Sequence, residues 1–524
     1  MCWNVCDGLF ASSRASDLTG LTGLPRIFDH IAHPNTGGRS LLSMSYQPCC
    51  TTRPTGSGPL IHILDDYSLL NVFSFTRPAI LDEIEVDDNS RFSEDGESNL
   101  ERWWYRLVQV CRRWRYIVLE SASRLRLSLV CARGTPVADM LAHSPPLPIT
   151  IDHFNKSYNI APEDEEGIIL ALQNSDRVRR IRLRKSVSIV QKLVNTLDGE
   201  FPILEYLLIE PQRPQFLFFE NRVILPETFR APYLRHLLLT SFVIPIGSLL
   251  LTTAANLVTL SLYSIPHTAY FDPNFLLQRV SLIPQLEILG IYFRTFFSDH
   301  IERQSSRTPA MTRVTLPNLR WLGFKGDSAY LEALLPHITL PLLEKLKVYF
   351  FNQSPYSIPH LHQFMSTANN LRPNTITLAF LSDCVEVIAH PHEGTRIHTL
   401  SLSLGSRTLH EQVTSAIQVF QILGTVFSTV EHLTLIYDAR IEPDRTRWCE
   451  FFRSFVNVKT LFVDTRLVGH LSRALHPGTR GSPTEPLPAL QELSYPVTPT
   501  AVNPFTPFID ARKRAGRPVT MIYL

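Results

Sequence analysis

No run of 18 apolar residues occurs anywhere in this 524-residue chain, and no basic segment followed by an apolar one stands near its start. A membrane-spanning helix and a secretory signal are therefore not expected. An excess of one charge sign is missing too: 50 Lys and Arg face 48 Asp and Glu, a net charge of +2. That balance argues against binding nucleic acid by bulk charge. Cysteines are few and scattered, at Cys2, Cys6, Cys49, Cys50, Cys111, Cys131, Cys384 and Cys449, so no disulfide framework is expected. The chain reads as soluble and intracellular, cytoplasmic or nuclear, with reduced thiols and no membrane partner.

Catalytic signatures are equally scarce. There is no glycine-rich phosphate loop, no paired-cysteine zinc pattern and no H-E-x-x-H. Cys2 and Cys6 with Cys49 and Cys50 complete no ligand pattern. In HEGTRIH, His392 and His398 stand too far apart in sequence to share a helix face. His267, His360 and His362 suggest no ligand set. Cys449 in RWCEFF has no neighbouring histidine signature and reads as a packed thiol rather than a thioester-forming nucleophile. No catalytic residue, metal or cofactor is expected, so the protein is not read as an enzyme.

What is present begins with WWYRLVQVCRRWRYIVL, residues 103–119. Leu107, Val110, Cys111, Trp114, Ile117 and Val118 recur at the three-and-four spacing of one helix face, and Arg106, Arg112, Arg113 and Arg115 fall opposite. Before it, residues 1–58 are rich in Gly, Ser, Thr, Pro and Arg without any period and read as disordered. Met44 stands shortly before the ordered part, which makes the first 43 residues dispensable on this reading. Residues 60–75 become helical, with Asp65 or Asp66 as cap and Leu69, Leu70, Val72 and Phe73 as anchors. The stretch 82–101 holds nine acids against Arg91 and reads as an acidic insertion in a small helical domain, 59–125. RLRLSLV (124–130) leaves that domain as a strand-like run.

Beyond residue 140 one unit recurs: an apolar residue, two variable ones, an apolar, one variable and a further apolar. FPILEYLLI (201–209), IPQLEILGI (283–291), LPNLRWLGF (316–324) and LPALQELSY (487–495) show it plainly. Its first apolar slot falls at Val178, Leu204, Leu234, Leu257, Leu286, Leu319, Leu343, Pro373, Ile397, Val430, Val458 and Leu490. The mean spacing of about 28 residues is close to that of leucine-rich repeats. The end of each unit reads as a short strand, and stretches such as 188–197, 329–338, 411–423 and 447–455 read as helices between strands. One strand and one helix cannot bury their own apolar side, so such units must stack. Residues 505–524 read as a last helix and strand that close the array. The expected fold is α/β: a solenoid of about twelve irregular repeats over 126–524 behind a small all-helical domain.

A helical pair followed by such an array resembles the F-box/leucine-rich-repeat proteins. The run WWYRLVQVCRRWRYIVLESASRLRLSL, with GTPVADMLAHSPPLPI after it, is similar to the large fungal (basidiomycete-like) branch of that family. The resemblance implies a substrate-recognition subunit of a cullin-based ubiquitin ligase. Its helical domain would bind the adaptor subunit, and through it the cullin, while the repeats would capture a protein substrate. On that pattern Leu64, Leu70, Phe73, Val110, Cys111 and Trp114 occupy adaptor-facing or supporting core positions. Asp65 stands where the family usually has Pro, and the acidic insertion lengthens the link between helices. The alternative is a repeat scaffold without ligase association, whose helical domain only caps the array.

In each unit the residues two, four and six places after the first slot should emerge together on one side of the shared sheet. The first copy places Arg180, Arg182 and Arg184 there. Later copies place Tyr263, Tyr292, Lys325 and Tyr349 at the sixth position and Trp321 at the second. These are the expected substrate-binding residues, because Tyr, Trp and Arg dominate binding hot spots.

Overall fold

A computed structural model describes residues 64–78, 102–154, 160–212, 222–245, 247–295, 313–353, 355–391, 398–406, 408–437, 445–476, 486–496 and 503–523. The expectations for 1–58, for Met44 and for the acidic stretch 82–101 lie outside them. The described chain divides into two compact units, one ending at Lys185 and the other beginning at Ser186.

The first unit opens with the helix Asp66–Phe75. Asp65 caps it by accepting the Ser68 N–H at 2.6 Å, and that bond holds the Asp65 carboxyl below its ordinary pKa. Leu69, Leu70 and Phe73 turn inward, and the Phe73 ring meets that of Trp114 at 4.7 Å. Arg113 pairs with Asp66 at 2.7 Å and donates to the Leu64 carbonyl at 2.6 Å, so the two helices are clasped at one end.

The single helix expected over 103–119 is broken in two, Trp103–Val108 and Arg112–Glu120. Cys111 is extended (φ −159°, ψ 172°) and heads the second piece, while Arg115 donates to the Val108 carbonyl at 3.0 Å. The cause is a conflict of faces. At 100° per residue an unbroken helix would set Trp104 and Ile117 about 220° apart. Both are buried, and the break lets each reach a core. Trp104 Nε1 donates to the Ser128 carbonyl at 3.2 Å, which ties the helices to the strand that follows. Val110, expected on the buried face, is 59% exposed.

Three parallel strands follow in the order β1 (Leu129–Cys131), β2 (Ile149–His153) and β3 (Val178–Leu183). The strand expected from Arg124 starts only at Leu129, because Arg126 takes a left-handed turn (φ 49°). The helices Val137–His143 and Pro162–Gln173 pack closely: a Cβ on Gly167 would meet Val137 Cγ2 at 2.9 Å. Residue 125 lies inside this unit, whose division from the next falls after Lys185.

The second unit is built on β4 (Tyr206–Ile209), β5 (Val223–Ile224), β6 (His236–Thr240), β7 (Phe242–Val243), β8 (Thr259–Ile265), β9 (Ile288–Phe293), β10 (Val314–Thr315) and β11 (Trp321–Gly326). It continues through β12 (Ile338–Thr339), β13 (Lys345–Phe350), β14 (Thr375–Phe380), β15 (Cys384–His390), β16 (Leu400–Gly405), β17 (His432–Tyr437), β18 (Thr460–Val463), β19 (Glu492–Tyr495) and β20 (Thr520–Tyr523). The pairs β5–β7 and β10–β12 stand apart as small ladders. The others form one large, mostly parallel sheet in the order β4-β6-β8-β9-β11-β13-β16-β15-β14-β17-β18-β19-β20.

The periodic reading and this sheet coincide closely. From Leu204 onward, each repeat strand begins two residues after the first apolar slot, three in the case of Ile397. A backbone pattern locks neighbouring units in register. The carbonyl one place after the slot accepts two N–H groups from the next unit: Glu205 takes Arg235 and His236, Arg235 takes Val258 and Thr259, Val258 takes Glu287 and Ile288, and Glu287 takes Arg320 and Trp321. An asparagine just before the slot adds a side-chain bond: Asn256 to Pro232, Asn318 to Pro284 and Asn457 to Ser428, at 3.1, 3.0 and 2.7 Å. The closing helix Thr506–Arg514 and strand β20 lie where 505–524 was read.

One region departs from simple stacking. β14 and β16, the units at Pro373 and Ile397, are not neighbours. Between them lies β15, antiparallel to both, so that β16 joins β13 and β14 joins β17. The cause is the tight reversal after Phe380, where the Leu381 N–H bonds the Cys384 carbonyl at 2.9 Å and returns CVEVIAH along the sheet. Its alternation puts Val385, Val387 and Ala389 inward with the leucines of β16.

Candidate functional site

The two faces of the large sheet differ in kind. On the inner face Leu289, Leu322, Leu346, Leu400, Leu433 and Leu461 form one buried row against the helices. Aromatic rings complete that side, with Phe324 stacked on Tyr330 at 5.7 Å and Phe380 edge-on to Trp448 at 5.4 Å. Burial, with the Tyr270 phenol and the Asp272 carboxylate, pushes the Tyr330 hydroxyl far above its ordinary pKa.

The outer face carries the side chains two, four and six places after each slot. Tyr263 stacks on Tyr292 at 4.7 Å with the rings 5° from parallel, and Tyr292 meets Trp321 at 6.4 Å. Glycines make room for them. A Cβ on Gly323 would strike the Tyr292 hydroxyl and lie 2.7 Å from Trp321, and one on Gly290 would lie 2.7 Å from the Tyr292 ring. The rings therefore lie down across Gly290 and Gly323, leaving Tyr292 3% and Trp321 6% exposed. Tyr263, Lys325 and Tyr349 are half-buried. Lys325 Nζ sits 4.5 Å from the Tyr349 ring centroid, a cation–π contact. Burial lowers the Lys325 pKa and raises that of Tyr349 to about 12, so the phenol stays neutral beneath the cation.

Arg180, Arg182 and Arg184 belong to the first unit. Arg182 is buried, pairs with Asp152 at 3.3 Å and lies 5.3 Å from the Phe154 ring centroid; Arg184 lies 5.4 Å from the same ring. Arg180 is half-buried. Part of this cluster is thus engaged within its own unit.

The adaptor-site positions separate into two groups. Leu70 and Phe73 are buried and Trp114 half-buried, as supports of the helical pair. Leu64 and Val110 are exposed, and Cys111 lies half-buried in the break between helices. Sequence periodicity missed residues that dominate the outer surface: Tyr67 is 66% and Phe75 89% exposed, with Tyr116 exposed as well, and Val72, read as an anchor, is exposed rather than buried. Their signal was an apolar excess on the helix face opposite Leu69, Leu70 and Phe73.

A buried polar cluster in the first unit also escaped notice. Cys131 ends β1, His153 ends β2, Lys185 follows β3, and Asp164 stands on the helix Pro162–Gln173, all buried. Asp164 accepts the Gly134 N–H at 2.7 Å. Burial, more than Asp164, pushes the Cys131 thiol up to about 12. Burial pulls His153 down to about 4. Among the described residues no group of three or more His, Cys, Asp or Glu side chains is arranged to hold a metal ion. Cys449 donates to the Ala474 carbonyl at 3.1 Å, and His362 Nε2 lies 2.7 Å from Thr425 Oγ1. Glu332 accepts the backbone N–H groups of His360 and Leu361, capping the helix Pro359–Thr367 from the preceding unit.

The fold and its outer face define a mixed α/β protein built on a large, mostly parallel sheet. No family model matches the chain, and no curated protein matches it. A crystal structure of the leucine-rich repeat-containing protein LegL7 from Legionella pneumophila aligns with 75% of this chain and 99% of its own, at 13% identity and a TM-score of 0.25. Among the described residues no helix is long and apolar enough to cross a membrane.

Proposed function

We propose that this chain is a non-catalytic protein-interaction subunit with two docking elements, the helical pair Asp66–Phe75 and Arg112–Glu120 and the outer face of a solenoid of stacked repeats. One observation carries the reading: Leu64, Tyr67, Val72, Phe75, Val110 and Tyr116 are all exposed within a single small helical segment. Solvent-facing apolar clusters of this kind are typical of protein–protein contact sites. The opposite side of the helical pair is fixed by the Phe73–Trp114 contact and the Arg113–Asp66 pair.

The resemblance to F-box proteins supports a finer version, in which that partner is the adaptor of a cullin-based ubiquitin ligase and the sheet face holds the substrate. The test is capture of the purified adaptor by the full-length protein and by Val72→Asp, Phe75→Asp and Tyr116→Asp. These exposed sites leave folding intact, and loss of capture in the variants supports the ligase reading. Wild-type protein that never captures the adaptor removes that reading and leaves the scaffold one.

A further inference from the structure

Across β11, β13, β16, β15 and β14 the positions Trp321, Lys345, Thr399, His390 and Thr375 lie side by side. Trp321 pairs with Lys345 and, one step before Leu346↔Leu400, Lys345 stands opposite Thr399; His390 lies beside Thr399 and pairs with Thr375. All five project from the outer face, because Leu322, Leu346, Leu400, Ala389 and Ile376 beside them are buried on the inner one. Four of the five share a property: Trp321 Nε1, Thr399 Oγ1, His390 Nδ1 and Thr375 Oγ1 are shielded from solvent and have no hydrogen-bond partner among the described residues. The next two positions differ, since His432 and Thr460 satisfy each other at 2.7 Å. A native fold rarely leaves such atoms unmatched, and four of them along one row call for an external partner.

The chemistry of that partner follows from the charges around the row. Lys325, Lys345 and Lys347 occupy this face on β11 and β13, with His390 and His432 beyond. The carboxylate facing them from β15 is Glu386, which already accepts the Ser401 hydroxyl at 3.0 Å. Tryptophan and lysine can only donate, and threonine and histidine can donate as well as accept. Such a row fits a ligand rich in anionic acceptors. Neighbouring strands stand ~4.8 Å apart, so the row spans ~19 Å, the length of about six residues of extended chain at ~3.3 Å each. Thr375, His390 and Thr399 are only half-buried, so rotation about χ1 carries their polar atoms to the surface.

We propose that the outer face between β11 and β14 binds an extended acidic peptide segment of a partner protein, laid across the strands along Trp321, Lys345, Thr399, His390 and Thr375. The proposal rests on the reading of this face as a docking element and adds the class of ligand. It is tested by fluorescence anisotropy of the full-length protein with labelled hexaglutamate, hexaglutamine and hexalysine peptides and a single-stranded oligonucleotide of similar length. Hexaglutamate is expected to bind at least about tenfold tighter than hexaglutamine, with affinity falling as salt is raised. The triple variant Thr375→Val, His390→Phe, Thr399→Val should lose at least about tenfold of that affinity while its melting temperature holds or rises, since it removes unmatched polar atoms. A drop in melting temperature with peptide affinity unchanged would assign the row to internal structure and overturn the proposal. Equal or tighter binding of hexaglutamine, hexalysine or the oligonucleotide, lost in Trp321→Ala, would overturn the acidic ligand while keeping the face as a docking element. No binding by any probe would overturn both.

Discussion

Gly323→Ala is the substitution that most directly probes how the outer face is built. Gly323 has no left-handed backbone, so only space is at issue. The added Cβ would strike the Tyr292 hydroxyl and lie 2.8 Å from Tyr292 Cζ and 2.7 Å from Trp321 Cη2. Both rings are nearly fully buried and Tyr292 is stacked on Tyr263, so neither swings away freely. Overpacking of this kind costs roughly 1–3 kcal/mol, offset by about 0.4–1 kcal/mol from the lower entropy of the unfolded chain. A net loss of about 1–2 kcal/mol is expected, read from urea denaturation followed by circular dichroism. Tyr292→Phe removes the atom that the new Cβ strikes. The double variant should therefore recover a good part of the loss, with a coupling of about 1 kcal/mol. A Gly323→Ala protein as stable as wild type, with no coupling to Tyr292→Phe, would refute the picture of rings laid across glycines.

The buried polar groups of the first unit give further expectations. His153 titrates at about 4 in the folded state against an ordinary 6.5. The unfolded chain thus binds the extra proton between those values, and His153's contribution is complete above pH 6.5 and lost as pH falls toward 4. Stability should drop by about 2 kcal/mol more from pH 7 to pH 5 in wild type than in His153→Leu, as measured by urea denaturation. Asp164 and Lys185 face the same imidazole, the first raising and the second lowering its pKa, so Asp164→Asn should extend the loss to lower pH. Cys131, with its thiol pushed up to about 12, should resist iodoacetamide at pH 8 until the protein unfolds, as peptide mass spectrometry would show. Asp152→Ala should destabilise more than Arg182→Met, because it leaves a buried guanidinium without its carboxylate; equal thermal losses would contradict this.

Local pattern alone determined where the repeat strands start. Leu207, Leu289, Leu322 and the equivalent residues three places after each slot form the inner row because a strand's side-chain period of two leaves no other arrangement that buries them. The Asp65 cap and the closing helix and strand were legible for the same reason: each depends on residues adjacent in sequence. What depends on distant partners was not. The break at Cys111 exists because Trp104 and Ile117 seek different cores, and β15 enters between β14 and β16 through a tight reversal that periodicity does not register. Trp321 and Tyr292 read as exposed by position, yet glycines on the neighbouring strands let them lie flat and become buried. The row of unmatched polar atoms joins residues on or beside four strands, β11, β16, β15 and β14, that stand together only once the sheet order is set. Apolar period dictates which way a side chain points, and tertiary packing decides what it meets there.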